Sequence, residues 1–159
     1  MNPLKRKIRS VQLLLVFSAS LVTSTGCLST LQERQDLTRQ IFESCSFDKI
    51  YEQKSLLRLL PAKERKKYLA LHKDAVVEFY AQKLTWSELK SLAQFQDEAA
   101  IQRIRKSYWR KANISQKNID EALAVADMYP VIRKISSEQF QKELSEFVLR
   151  KVFDKSHEQ

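Results

Sequence analysis

Apolar positions in this chain recur every three or four residues, the spacing of one face of an α-helix. Thr30-Leu31-Gln32-Glu33 has the form of a capping box, in which a Thr hydroxyl and a Glu carboxylate each take a backbone N–H. Leu37, Ile41 and Cys45 follow at intervals of four, so a helix is predicted from Thr30 to about Ser44. A second is predicted over Phe47 to Leu60, with Phe47, Ile50, Tyr51, Lys54 and Leu57 on one stripe, widened by Leu56, Leu59 and Leu60. Pro61 ends that helix or opens the next, where its missing N–H does no harm. A third, from about Lys63 to Lys83, sets Leu69, His72, Val76, Phe79 and Tyr80 on one face. Thr85-Trp86-Ser87-Glu88 is another capping box, and one helix after it carries Leu89, Leu92, Ala93, Ala100, Ile101, Ile104 and Tyr108. Ser115 caps a fifth helix with Ile119, Leu123 and Ala126 inward, ending before Pro130. Ser136-Ser137-Glu138-Gln139 starts a sixth, striped by Phe140, Leu144, Phe147 or Val148, and Lys151, beside Val152 and Phe153. The pattern predicts an all-α single domain of about six helices over residues 30–154, a bundle or orthogonal helical array. Residues 155–159 form a polar tail expected to fray.

Composition strengthens this reading. The chain of 159 residues contains one glycine, Gly26. Glycine supplies the positive φ of tight turns and lets backbone approach a phosphate closely. A chain without it beyond position 26 is a poor candidate for tight hairpins or a Gly-rich nucleotide loop.

The first 26 residues differ from the rest. Lys5, Arg6, Lys7 and Arg9 crowd the start, and residues 11–25 carry no charge while including Val11, Leu13 to Phe17, Leu21 and Val22. A basic stretch before a short apolar one is the form of a secretory signal peptide. The apolar run is too short, and too rich in Ser and Thr, to span a bilayer comfortably. Four of the 28 basic residues belong to this leader, so the formal charge of +9 falls to +5, 24 basic residues against 19 acidic. That excess suits anionic lipid or an acidic partner, whereas an exported protein rarely meets nucleic acid.

The leader ends in Leu21-Val22-Thr23-Ser24-Thr25-Gly26-Cys27. This segment resembles the lipobox of bacterial lipoproteins, with Ser24 standing where Leu is usual. The resemblance implies that the Cys27 sulfur receives a diacylglyceryl group, that cleavage falls between Gly26 and Cys27, and that the new amine is often acylated, with palmitate as the expected acyl group. Residues 27–29 would then be a lipidated N-terminus and short tether. Each buried CH₂ contributes roughly 0.8 kcal/mol, so two or more chains anchor stably. Leu28, rather than Asp, after the cysteine implies sorting to the periplasmic face of the outer membrane in enteric-type bacteria. The alternative is ordinary signal cleavage, with Cys27 either unmodified or paired with Cys45 in an oxidising compartment. Cys45 falls on the apolar side of Leu31, Leu37 and Ile41, where a buried thiol is expected.

A second resemblance lies in Ala81-Gln82-Lys83-Leu84-Thr85-Trp86-Ser87-Glu88-Leu89-Lys90-Ser91-Leu92-Ala93-Gln94-Phe95. It is similar to a family of small exported all-helical bacterial proteins of unknown function. Their hallmark is an aromatic or apolar residue, Thr-x-x-Glu-Leu and Phe, followed by a Ser-Pro-x-Gly turn. Thr85, Glu88, Leu89 and Phe95 match, and Gln96-Asp97-Glu98-Ala99 replaces the turn. The resemblance implies an exported helical protein and carries no activity with it.

Little in the sequence points to catalysis. His72 sits on an apolar helix face and His157 in the tail, and neither has Cys or His neighbours at metal-ligand spacing. Asp74 and Glu78 are one turn apart, but read as a surface pair. No catalytic residue, metal site or cofactor is assigned, and no small-molecule substrate is inferred. Two basic clusters are candidates for an anionic surface: Lys63, Arg65, Lys66 and Lys67, and then Arg103, Arg105, Lys106, Arg110 and Lys111. The first opposes the dipole of its helix, whereas the second sits at a helix C-terminus, where cations are favoured. Trp86 and Trp109 are candidates for partner contact, since tryptophan is enriched at interface hot spots. The expectation is a non-enzymatic, membrane-anchored adaptor or assembly factor that binds an envelope protein. The alternative is a module that binds anionic lipid or cell-wall polymer.

Overall fold

The Thr30 hydroxyl accepts the Glu33 N–H at 3.2 Å, and the Glu33 carboxylate accepts the Thr30 N–H at 2.7 Å. This reciprocal cap opens helix α1, Leu31–Ser44. The computed structural model describes residues 29–45 and 61–157. Within them α1 is followed by α2 (Ala62–Lys83), α3 (Trp86–Asp97), α4 (Ala99–Trp109), α5 (Gln116–Asp127), α6 (Pro130–Ile135) and α7 (Glu138–His157). The fold is an all-α single domain, with no strand among the described residues. The leader, Gly26, Cys27 and the helix expected over Phe47 to Leu60 lie outside the described residues.

Helix α2 is the axis of the array. Its second half is buried around most of its circumference, at Ala75, Val76, Val77, Phe79, Tyr80 and Ala81. A helix that is apolar all round must be covered on more than one side, and α1 and α7 both pack along α2. Phe79 meets Phe140 edge-on at 5.2 Å between ring centroids, and Tyr80 meets Phe42 at 5.3 Å and Phe140 at 5.3 Å. Edge-to-face pairs of this kind add about 0.5–1.5 kcal/mol each beyond the area they bury. They join the start of α7 and the end of α1 to the same turn of α2.

Two departures from the expected helices have clear causes. The single helix expected after Thr85 is two, broken at Glu98, whose φ of −58° and ψ of 131° are extended. Leu92 and Ile101, like Phe95 and Ile104, are nine residues apart, or two and a half helical turns. One straight helix would point the members of each pair in opposite directions, yet all four are buried. The break lets both halves face the core. It is held by the Tyr129 hydroxyl, which donates to the Glu98 carboxylate at 2.6 Å, while the Tyr129 ring sits against Phe95 at 5.3 Å.

The stretch between the fifth and sixth expected helices is itself the short helix α6, with Pro130 at its first turn and Val131, Ile132 and Ile135 buried. In α5 the deepest residues are Ala122 and Ala126, with Ile119 and Leu123 half-buried beside them. Small side chains at the contact let α5 lie close to α4. Helix α7 continues to His157, past the boundary expected near Asp154. No helix among the described residues is long and apolar enough to cross a membrane.

Candidate functional site

The first basic cluster lies on the opening turns of α2. Lys63, Lys66 and Lys67 are exposed and Arg65 is half-buried. The Pro61 cap offers no side-chain acceptor, and Glu64 is the acid of the first turn. The second cluster lies on α4. Because α2 packs on α1 and α7 while α4 packs on α3 and α5, the two clusters sit on helices without extensive mutual contact.

The second cluster divides into two parts. Arg103 pairs with Glu121 across the α4–α5 hairpin at 2.5 Å. Arg105 donates to the Gln102 side chain and is half-buried, and burial lowers its pKa while Asp97 opposes the shift. These two arginines are structural. Lys106, Arg110 and Lys111 are exposed at the end of the helix and make no ion pair among the described residues. The backbone closes there, with Ala112 N–H donating to Ser107 O at 2.9 Å and Lys111 N–H to Tyr108 O at 3.0 Å. Lys111 takes φ of 52°, the left-handed region that favours glycine.

Ser115 then caps α5, its hydroxyl accepting the Asn118 N–H at 3.3 Å. The hairpin brings Lys117, exposed in the first turn of α5, to the same end as Lys106, Arg110 and Lys111. Sequence reasoning missed Lys117. The signal was present, because a short capped return after Trp109 sets the first turn of one helix beside the last turn of the other.

The tryptophans are both half-buried. Trp109 meets Tyr108 edge-on at 5.4 Å at the hairpin end. Trp86 begins α3 with the Lys90 ammonium 5.3 Å from its ring. Trp86 thus opens α3 and Trp109 closes α4, each with its own neighbour.

Several polar and titratable groups outside the clusters are engaged in structure. Glu78 takes Lys151 at 2.9 Å and Gln82 at 3.0 Å, so it is tied to α7 rather than paired with Asp74. His72 is half-buried, and burial lowers its pKa to about 4. Cys45 is fully buried, its thiol donating to Phe42 O at 2.9 Å. Tyr129 has its pKa pushed up to about 12 by burial and by its hydrogen bond to Glu98. A cleft of about 450 Å³ opens between Ser87, Glu88, Ser91, Pro130, Val131 and Lys134. Its two charges neutralise each other, Lys134 lying 2.8 Å from Glu88. No group of three or more His, Cys, Asp or Glu side chains among the described residues is placed to hold a metal ion.

No protein-family model, curated protein or solved structure matches this chain. Its likeness to bacterial lipoproteins and to the exported helical family rests on the residues quoted above.

Proposed function

We propose that the mature chain is a lipid-anchored, non-enzymatic adaptor or assembly factor of the bacterial envelope that holds a partner protein at the membrane. Residues 1–26 would direct export and Cys27 would carry the lipid, on the periplasmic face of the outer membrane. The observation that carries this reading is where the first described helix opens. The Thr30–Glu33 capping box opens α1 at Leu31, so this helix begins just beyond the tether expected at residues 27–29. In this arrangement the acyl chains would lie in the bilayer with α1 a few residues from them. Amphipathic helices around a central axis are also a general means of accepting a partner helix, and Trp86 and Trp109 remain the contacts proposed for it.

The test is the intact mass of the protein taken from its own membranes, beside a Cys27→Ser version. Cleavage before Cys27 with a lipid increment, lost in the variant, is the expected result. An unlipidated mass lighter by two hydrogens would mean a Cys27–Cys45 disulfide and remove the tether. Crosslinking at the membrane should then recover one stoichiometric partner; a clean monomer would end the adaptor reading. A second reading, binding to an anionic surface, is favoured by the exposed cations at the α4–α5 hairpin, which make no ion pair among the described residues.

A further inference from the structure

The α4–α5 hairpin ends in an electropositive tip. Lys106, Arg110, Lys111 and Lys117 are all exposed there and make no ion pair among the described residues. Of the acids on this part of the hairpin, Glu121 is taken by Arg103 at 2.5 Å and Asp120 accepts the Gln116 amide at 2.8 Å. Helix α5 has no acid in its first turn, so the positive end of its dipole adds to the charge rather than offsetting it. The tip also holds Tyr108 and Trp109, half-buried rings in edge contact at 5.4 Å. Amphipathic aromatic rings flanked by Lys and Arg are the composition that settles at the headgroup level of a bilayer.

The backbone adds an independent observation. Lys111 occupies a left-handed position, φ 52°, that glycine would fill without strain. A cation is held at the apex in spite of that cost. Strained positions of this kind cluster where function needs a particular side chain.

We propose that this tip docks onto the anionic headgroup layer of a membrane and orients the tethered domain on it. The inference rests on the anionic-surface reading and gives it one end of one hairpin and one partner, phospholipid. Lys63, Arg65, Lys66 and Lys67 are not part of it. The cleft at Ser87 and Lys134 lies between α3 and α6 rather than at the tip, so the docking face is a turn that presents charge, without a groove to grip a partner helix.

The experiment follows Trp109 in the protein purified with its anchor and placed on vesicles. Trp86→Phe leaves Trp109 as the tryptophan observed. Quenching by brominated acyl chains is compared between phosphatidylcholine vesicles and vesicles that also contain phosphatidylglycerol. The expected result is quenching that requires phosphatidylglycerol and is suppressed by high salt. Each of Lys106→Glu, Arg110→Glu and Lys117→Glu should weaken the docked state by roughly fivefold or more, with helical content unchanged. Equal quenching on both vesicle types, or quenching untouched by the three reversals together, would overturn the proposal. So would salt-sensitive binding of soluble polyphosphate by a protein whose Trp109 stays unquenched, since that would mark a polymer site. The intact mass of the same preparation reports Cys27 separately. Quenching on phosphatidylglycerol without lipid on Cys27 would retain the docking tip and remove the tether.

Discussion

Lys134 Nζ lies 2.8 Å from Glu88 Oε1 and 3.0 Å from Glu88 Oε2, joining α6 to the first turn of α3. The same carboxylate accepts the Thr85 N–H at 2.8 Å as the acid of its capping box, and the same ammonium donates to Lys83 O at 3.2 Å. One ion pair therefore connects the end of α2, the start of α3 and the last turn of α6. Burial pushes the Glu88 carboxyl up, but hydrogen bonds from Lys134 and from the Thr85 N–H, with the charge of Lys134, bring it below the ordinary carboxylate value.

Glu88→Ala removes the pair and the carboxylate half of the capping box, while the Thr85 hydroxyl still accepts the N–H of residue 88. It should lower stability by about 1–2 kcal/mol, from the lost ion pair and the lost hydrogen bond to the Thr85 N–H. Lys134→Ala should cost about 0.5–1 kcal/mol, because the pair is partly solvated. Urea titration of the two single variants and the double variant checks this. A Glu88→Ala loss no larger than that of Lys134→Ala would show that the carboxylate half of the capping box contributes nothing.

The ends of the helices were legible in the sequence because side chains that cap them act locally. Thr30, Thr85 and Ser115 each accept the N–H three residues on, where the spacing placed it. The Glu98 break was not read from periodicity, because it depends on Tyr129, 31 residues away. Its trace was the nine-residue offset between Leu92 and Ile101. Helix α6 escaped because six residues are too few to show a period. The two basic clusters were visible as runs of charge, but a run cannot show which members are occupied. Arg103 and Arg105 are engaged within the fold, and Lys117 joins Lys106, Arg110 and Lys111 only once α5 turns back.

Gln96 is fully buried at the end of α3, and neither side-chain Nε2 nor Oε1 has a hydrogen-bond partner among the described residues. Its neighbours on the same helix, Leu92 and Ala93, are buried and apolar. An unsatisfied buried amide costs about 1–3 kcal/mol, and an apolar residue of similar shape avoids that cost. Gln96→Met should therefore raise stability by about 1 kcal/mol, seen as a later urea midpoint with an unchanged slope. A fall of similar size would mean that the amide holds an internal water.

Lys111→Gly should separate folding from docking. Glycine relieves the left-handed strain but adds freedom to the unfolded chain, for a net gain of about 0.5–1 kcal/mol. The same change removes one cation from the tip, so Trp109 quenching on phosphatidylglycerol vesicles should weaken. Stability and docking would move in opposite directions. Thermal melting and quenching measured on the same preparation check the pair, and a variant that melts earlier would show that Lys111 is held by contacts rather than strained.

His72 makes the fold sensitive to mild acid. Burial lowers its pKa from 6.5 to about 4, so the folded state resists protonation that the unfolded chain accepts. Between those two values the unfolded state binds more protons, and stability falls as pH falls. The contribution is complete above about pH 6.5 and fully lost near pH 4, a change on the order of 2–3 kcal/mol. Glu88, whose pKa is depressed, acts in the same direction but only as pH drops toward and below its ordinary carboxylate range. The two are separable, since His72→Gln should remove the upper part of the slope and leave the lower part. Urea midpoints measured from neutral pH down to the carboxylate range, for both proteins, provide the check. A flat midpoint across the upper window, or a slope that survives His72→Gln, would assign the acid sensitivity to other groups.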